Sequence, residues 1–323
     1  MSTKGFLTGL RAGGAGIGKG ASIPAVLVLA IACIAAEIIA PRVFSVGGIL
    51  AISRSMVVVG IIGIAMMIVL GVGGMDLSVA GILEMSVASG LVAMHTLGGG
   101  TLTQVAVTLA VATAAGVING LLTAYLGLSP LLATLATSFI YLAVALGITG
   151  GSPVGDVAPG VQWFGKNLDT VPMAVIVLVA LAVVVALVRK YSPWYRQALL
   201  IGSNRQAATL DGTPVRRLEL LAYTASGAIC GLAGLVVTGQ LSAFTAGQSG
   251  QLLLLALGVV IVGGTNLFGG RISAFGTLAG AALLSIITVV LALNYVAPAV
   301  QQVVQGAVLL VAVCIAAREP ARR

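Results

Sequence analysis

The sequence predicts an all-α integral membrane protein of about ten transmembrane helices, eight at the least, with both termini cytoplasmic. Three observations predict it. Hydrophobic residues make up 59% of the 323-residue chain and charged residues 7%, whereas a soluble chain of this size carries about a quarter charged residues. Apolar runs near the ~20 residues needed to cross a bilayer follow one another along the chain. The basic residues fall between those runs and mostly in alternate loops.

In order, the spans are placed near residues 22–41, 48–72, 78–95, 103–126, 130–149, 172–189, 218–239, 251–264, 274–293 and 299–317. The first twenty residues are too glycine-rich for the hydrophobic region of a signal peptide, so the run from Ile23 to Ala40 is read as the first span. The second span carries Arg54 and the third Glu84, and the eighth is short. Gly116/Gly120, Gly227/Gly231 and Gly276/Gly280 each put two small residues on one helix face, where a neighbouring helix can pack closely.

With ten spans, Lys4, Arg11, Lys19, Arg189, Lys190, Arg196, Arg205, Arg216, Arg217, Arg271, Arg318, Arg322 and Arg323 fall on the cytoplasmic side. Arg42, Arg54 and Lys166 fall on or near the outer face. That asymmetry sets the orientation. The chain reads as one transmembrane domain over 1–323, with a cytoplasmic tail at 1–21, an external loop at 150–171 and a basic cytoplasmic loop at 190–217. Its surroundings are membrane lipid.

Several function classes are excluded. The net charge of +8 is spread between spans rather than gathered in a stripe, which argues against nucleic acid. His95 is the sole histidine, so a His-based metal site or catalytic triad is out, and no catalytic or metal-binding set is assigned. Cys33, Cys230 and Cys314 lie within apolar segments and read as buried small hydrophobes. The glycine-rich run 13–20 nearly spells a phosphate loop, but Gly20 stands where that loop needs Ser or Thr. No cofactor is therefore assigned to this chain.

Polar residues inside the spans are the candidates for function. Asp76, in the turn Gly73-Gly74-Met75-Asp76-Leu77-Ser78, is expected to cap a helix or to sit beside the solute path. Glu37 and Glu84 lie in spans, where a carboxylate needs a partner, and an interhelical contact with Arg54 is one resolution. A proton- or cation-binding role is the other. Thr134, Thr137, Ser138 and Tyr141 share a face of the fifth span and read as lining a hydrated route. Asn119, Asn294, Gln301 and Gln302 are further intramembrane amides. The turn at Gly73–Ser78 is echoed at Gly263-Gly264-Thr265-Asn266-Leu267-Phe268, which hints at an internal repeat. In the largest cytoplasmic loop, Gly202 to Gly212 reads as a short helix flanked by glycines, a projecting element that calls for a partner.

Three blocks of this sequence resemble the ribose/xylose/galactoside-type ABC transporter permeases of bacteria. They are Gly73 to Val79, the stretch Gly202 to Gly212, and Val262 to Arg271. Smaller agreements occur at Pro130 to Thr137, Thr149 to Pro153 and Gln301 to Gly306. The resemblance implies a type II importer-like permease fold in a homodimer, in the bacterial cytoplasmic (inner) membrane. It implies a separate cytoplasmic ATPase that holds ATP and Mg, and a periplasmic or lipid-anchored solute-binding protein. It also implies that Gly202, Asn204, Ala207, Ala208, Asp211 and Gly212 couple to the ATPase. Asp76, Ser78, Thr134, Thr137, Ser138, Tyr141 and Asn266 are the expected solute-path residues. On this reading the chain is a transport subunit, not an enzyme, and a stand-alone ion-coupled transporter or channel is the alternative. The sequence departs from the family pattern at Gly250 to Leu255, at Thr288 to Ala292 and at Glu84, which bears on the identity of the solute.

Overall fold

The computed structural model describes residues 22–318, with side chains from 28 to 314. The glycine-rich run 13–20 and the basic residues Lys4, Arg11, Lys19, Arg322 and Arg323 lie outside the described residues. In chain order the helices are α1 (Ser22–Ile39), α2 (Val46–Gly71), α3 (Val79–Leu97), α4 (Gly100–Gly120, continued by a π-turn over Leu121–Tyr125) and α5 (Pro130–Thr149). There follow α6 (Pro159–Gln162), α7 (Met173–Tyr191), α8 (Pro193–Ser203), α9 (Arg205–Leu210) and α10 (Val215–Leu241). The last are α11 (Gly250–Val262), α12 (Ala274–Leu293) and α13 (Pro298–Arg318).

Seven of these, α2, α3, α4, α5, α7, α10 and α12, are long and apolar enough to cross a membrane. The three remaining expected spans coincide with α1, α11 and α13, whose described apolar stretches are shorter. The difference is sharpest at α11. Its 13 residues reach about 20 Å at 1.5 Å per residue, against ~30 Å of hydrocarbon. The chain before it does not continue as a helix. Ser242, with φ of 55°, ends α10, and an extended segment follows whose Phe244 forms an antiparallel bridge to Val154.

Helix α2 runs through the centre, buried from Val57 to Leu70 along most of its faces, with α10, α11 and α12 packed around it. Backbones meet where the glycine pairs predicted it. A Cβ on Gly227 of α10 would come within 2.9 Å of the Gly116 Cα of α4. One on Gly263 would meet the Gly276 carbonyl carbon at 2.5 Å, which joins α11 to α12. Lipid tails are as apolar as leucine, so this close van der Waals fit, rather than escape from water, holds such helices together.

The 150–171 segment is folded rather than open. Residues Asn167–Leu168 (β1) and Val171–Pro172 (β2) pair as an antiparallel hairpin around Asp169, whose φ is 52°. Gln104 accepts from the Ala158 amide at 2.9 Å and Thr101 from that of Gly160 at 3.1 Å. Arg54 completes the tether by donating to the Gly165 carbonyl and the Asn167 side chain, each at 3.2 Å. The expected Arg54 contact with a glutamate is therefore not formed, because the guanidinium at this end of α2 finds loop oxygens first.

The two echoed turns share geometry. Asp76 accepts from the Ser78 amide and Asn266 from the Phe268 amide, both at 3.0 Å and both two residues ahead. Each turn joins two apolar helices, α2 to α3 and α11 to α12. The shared geometry is confined to that side-chain bond, since the left-handed glycine is Gly73 in one turn and Gly264, one position later in the echo, in the other.

Candidate functional site

Three loops meet at the end of the bundle where α7 finishes in Arg189 and Lys190. They are the turn after α2, the junction of α8 and α9, and the turn after α11. They meet on glycine. A Cβ on Gly269 would come 2.7 Å from the Gly73 Cα and 2.9 Å from the Gly202 Cα, and one on Gly202 would strike the Gly71 carbonyl and the Gly270 amide. The three blocks that carried the family resemblance are therefore one physical node, although they lie far apart in the chain.

The expected short helix over 202–212 divides differently. Gly202 belongs to α8 and to the node, and the projecting helix is α9, Arg205–Leu210. Asn204 explains the division: its extended backbone breaks the helix, and its side chain caps α9 by accepting from the Ala207 amide at 2.9 Å. Ala208, buried, packs into a small core with Val72, Ile201, Val215, Leu218 and Ala222. Gly212, at φ of 75°, turns the chain back toward α10. Arg205 pairs with Glu219 of α10. The opposite side of this end is bare and apolar: Leu210 is 90% exposed and Phe268 87%. Ala207, Asp211 and Asn266 are exposed nearby in sequence, and Asn266 is engaged in its own turn.

A second group lies deeper. Asp76 is three residues before the start of α3 and is not its N-cap; Ser78 holds that position. One Asp76 oxygen accepts from the Ser78 amide and hydroxyl, at 3.0 and 2.6 Å, and the other from the Ser226 hydroxyl at 3.1 Å. Asn119 donates to the Ser78 oxygen at 2.6 Å and accepts from Thr137 at 2.8 Å and Tyr141 at 3.3 Å. Thr134 accepts from the Leu77 amide and donates to the Met75 and Pro130 carbonyls, while Tyr223 also donates to Met75. Asp76, Ser78, Asn119, Thr134, Thr137, Tyr141 and Ser226 are all buried and bonded to one another or to backbone. Ser138 is half-buried against Gly81. The network welds α3, α4, α5 and α10 together. Ser226 lies eleven residues into α10, about 16 Å from its start, so the chain from Gly73 to Ser78 dips well into the bundle.

A cavity of about 630 Å³ opens at the start of α11, lined by Gly247, Gln248, Gly250, Gln251, Leu254, Gln302 and Gln305. Its polar groups are four side-chain amides, and no charged side chain is among them. Gln302 was a candidate from sequence, and the others were not. Nothing in their spacing signals that an extended segment ahead of α11 would face α13. A second cavity, of about 350 Å³ between α2, α7 and α12, is lined almost wholly by apolar side chains.

Neither Glu37 nor Glu84 forms an ion pair with a basic side chain among the described residues. Glu37 is exposed, near the end of α1. Glu84 is 2% exposed and accepts from the Gly247 and Ser249 amides. Among the described residues no cluster of His, Cys, Asp and Glu is placed to hold a metal ion.

Seven apolar helices long enough to cross a membrane mark a multi-pass membrane protein, and the comparisons with known proteins narrow the class. Residues 48–313 match the family model described as the branched-chain amino acid transport system / permease component, and the chain belongs to this permease family. It is 33% identical over 295 residues to the ribose import permease protein RbsC of Bacillus subtilis (strain 168), covering 90% of each chain. It is 31% identical over 311 residues to the fructose import permease protein FrcC of Rhizobium meliloti, covering 91% of this chain and 84% of the relative. It is 31% identical over 255 residues to the galactofuranose transporter permease protein YtfT of Escherichia coli (strain K12), covering 78% and 74%.

Proposed function

We propose that this chain is the membrane-spanning permease subunit of a bacterial ABC importer in the cytoplasmic (inner) membrane. It moves a sugar or sugar-like solute inward by alternating access, coupled to ATP hydrolysis in a partner subunit. The glycine node carries the reading. A helix that projects from the bundle, ends in an exposed leucine and is fastened to the turns of two helix pairs suits a docking element whose displacement is felt inside the membrane. On this reading all ten apolar helices cross or enter the bilayer, the node faces the cytoplasm, and both chain ends lie there. A second copy of the permease, an ATPase carrying ATP and Mg, and an external solute-binding protein complete the assembly.

The family description speaks of branched-chain amino acids, and the relatives of sugars. The cavity chemistry favours sugar. A zwitterionic amino acid brings two charges, each costly to desolvate without a partner, and the lining offers only amides. Amides both donate and accept, which suits neutral hydroxyl groups. The Asp76 network, in which the expected path residues bond one another, acts as the frame beside that path.

Replacing 204–211 by a Gly/Ser linker tests the docking claim. The ATPase should no longer copurify with the permease, while the purified variant keeps its helical circular dichroism. An intact complex from the linker variant would refute the contact.

A further inference from the structure

Glu84 stands out against the rest of the membrane interior. It is 2% exposed, and among the described residues the recorded ion pair is Arg205 with Glu219 instead. Its partners are two backbone amides. One carboxylate oxygen accepts from the Gly247 N–H at 2.8 Å, and the other from the Ser249 N–H at 2.6 Å. Those amides lie on either side of Gln248, just before α11 begins at Gly250. Gly247 sits at φ of 89°, where side-chain-bearing residues are strained, so the segment makes a tight turn at the point it is held.

We propose that Glu84 is the positioning residue of the permeation cavity: by clamping Gly247 and Ser249 it fixes where α11 begins and turns Gln248 and Gln251 toward Gln302 and Gln305. Three features converge on this. Unpaired backbone groups at membrane depth are costly, and a helix that starts part-way through the bundle has free N–H groups at its first turn. Glu84 satisfies two donors just ahead of that turn, at Gly247 and at the N-cap residue Ser249, and its carboxylate suits the positive end of the helix. Gly247, one of the two residues so held, lines the 630 Å³ cavity together with Gln248, Gly250, Gln251 and Leu254. The inference rests on that cavity lying on the solute's path, and the experiment separates the two ideas.

The assembled transporter, permease with its ATPase, is placed in liposomes with the native thiols removed (Cys33→Ser, Cys230→Ala, Cys314→Ser). A single cysteine is introduced as Gln251→Cys or, as the control across the cavity, Gln302→Cys. The readout is the rate of modification by sulfonatoethyl methanethiosulfonate, an anionic thiol reagent. With Glu84→Leu the rate at position 251 should change by about tenfold, as loss of bonds to a charged acceptor implies, while position 302 stays within about twofold. Glu84→Gln, which keeps one acceptor oxygen, should fall between. Should Glu84→Leu fail to assemble, the Glu84→Gln comparison decides alone. Unchanged rates at 251, or parallel changes at 251 and 302, would overturn the clamp. A clamp that behaves as expected, with ATP-driven sugar uptake indifferent to modification at both positions, would overturn the cavity's place on the path instead.

Discussion

Asn119 makes three side-chain hydrogen bonds, giving one to Ser78 and taking those of Thr137 and Tyr141. Asn119→Ala would remove three bonds at about 1 kcal/mol each, while Ser78, Thr137 and Tyr141 keep their other bonds to Asp76, the Thr134 carbonyl and the Ala115 carbonyl. The purified permease should show a clearly lowered Tm, with transport falling in proportion to the folded fraction. Asn204 works at the surface. As the N-cap of α9 its replacement by Ala should cost that helix about 1 kcal/mol, a loss read as weaker ATPase copurification at unchanged global Tm. The sequence showed Asp76, Asn119, Thr134, Thr137 and Tyr141 one by one, because polar residues in apolar runs stand out. Their joining through Ser226, 150 residues from Asp76, was not legible, since no local pattern links α3 to α10.

At the scale of elements, apolar run length found the seven membrane-length helices and the shorter apolar α1, α11 and α13, but not the short helices α6 and α8, and the glycine pairs marked the crossings. Gly227→Leu should block the approach of α10 to α4, since even a Cβ would lie 2.9 Å from the Gly116 Cα. Overpacking of this kind costs about 1–3 kcal/mol or more, and the variant should be recovered from membranes in poor yield and with lowered Tm. The pairing of Arg205 with Glu219 fastens α9 to α10. With Arg205 more than half exposed its stabilising effect is small, about 0–1 kcal/mol. Single charge reversals should weaken ATPase binding, and the exchanged pair Arg205→Glu with Glu219→Arg should restore it. Failure of the exchange to restore binding would mean that Arg205 contacts the partner directly. The break of the 202–212 segment at Asn204 and the extended run before α11 escaped the sequence reading. The first rests on the extended backbone and capping side chain of Asn204 itself, and the second on a distant group, Glu84, that holds the Gly247 and Ser249 amides.

Over the whole molecule, the node at Gly73, Gly202 and Gly269 joins the projecting helix to two helix pairs that enter the bundle, one leading to the Asp76 network and the other to the glutamine cavity. Resemblance brought the three blocks together as a family signature, but their contact follows from backbones that only glycine allows to touch. A displacement at α9 is therefore expected to reach the cavity through main chain rather than through side-chain repacking. The most direct measurement is sugar uptake into liposomes holding the permease and its ATPase, with the solute-binding protein added outside and radiolabelled D-ribose and D-fructose as probes. The account predicts accumulation of one of them only when ATP is enclosed and all three components are present. Accumulation by the purified chain alone under an ion gradient, or none with the complete system, would contradict it.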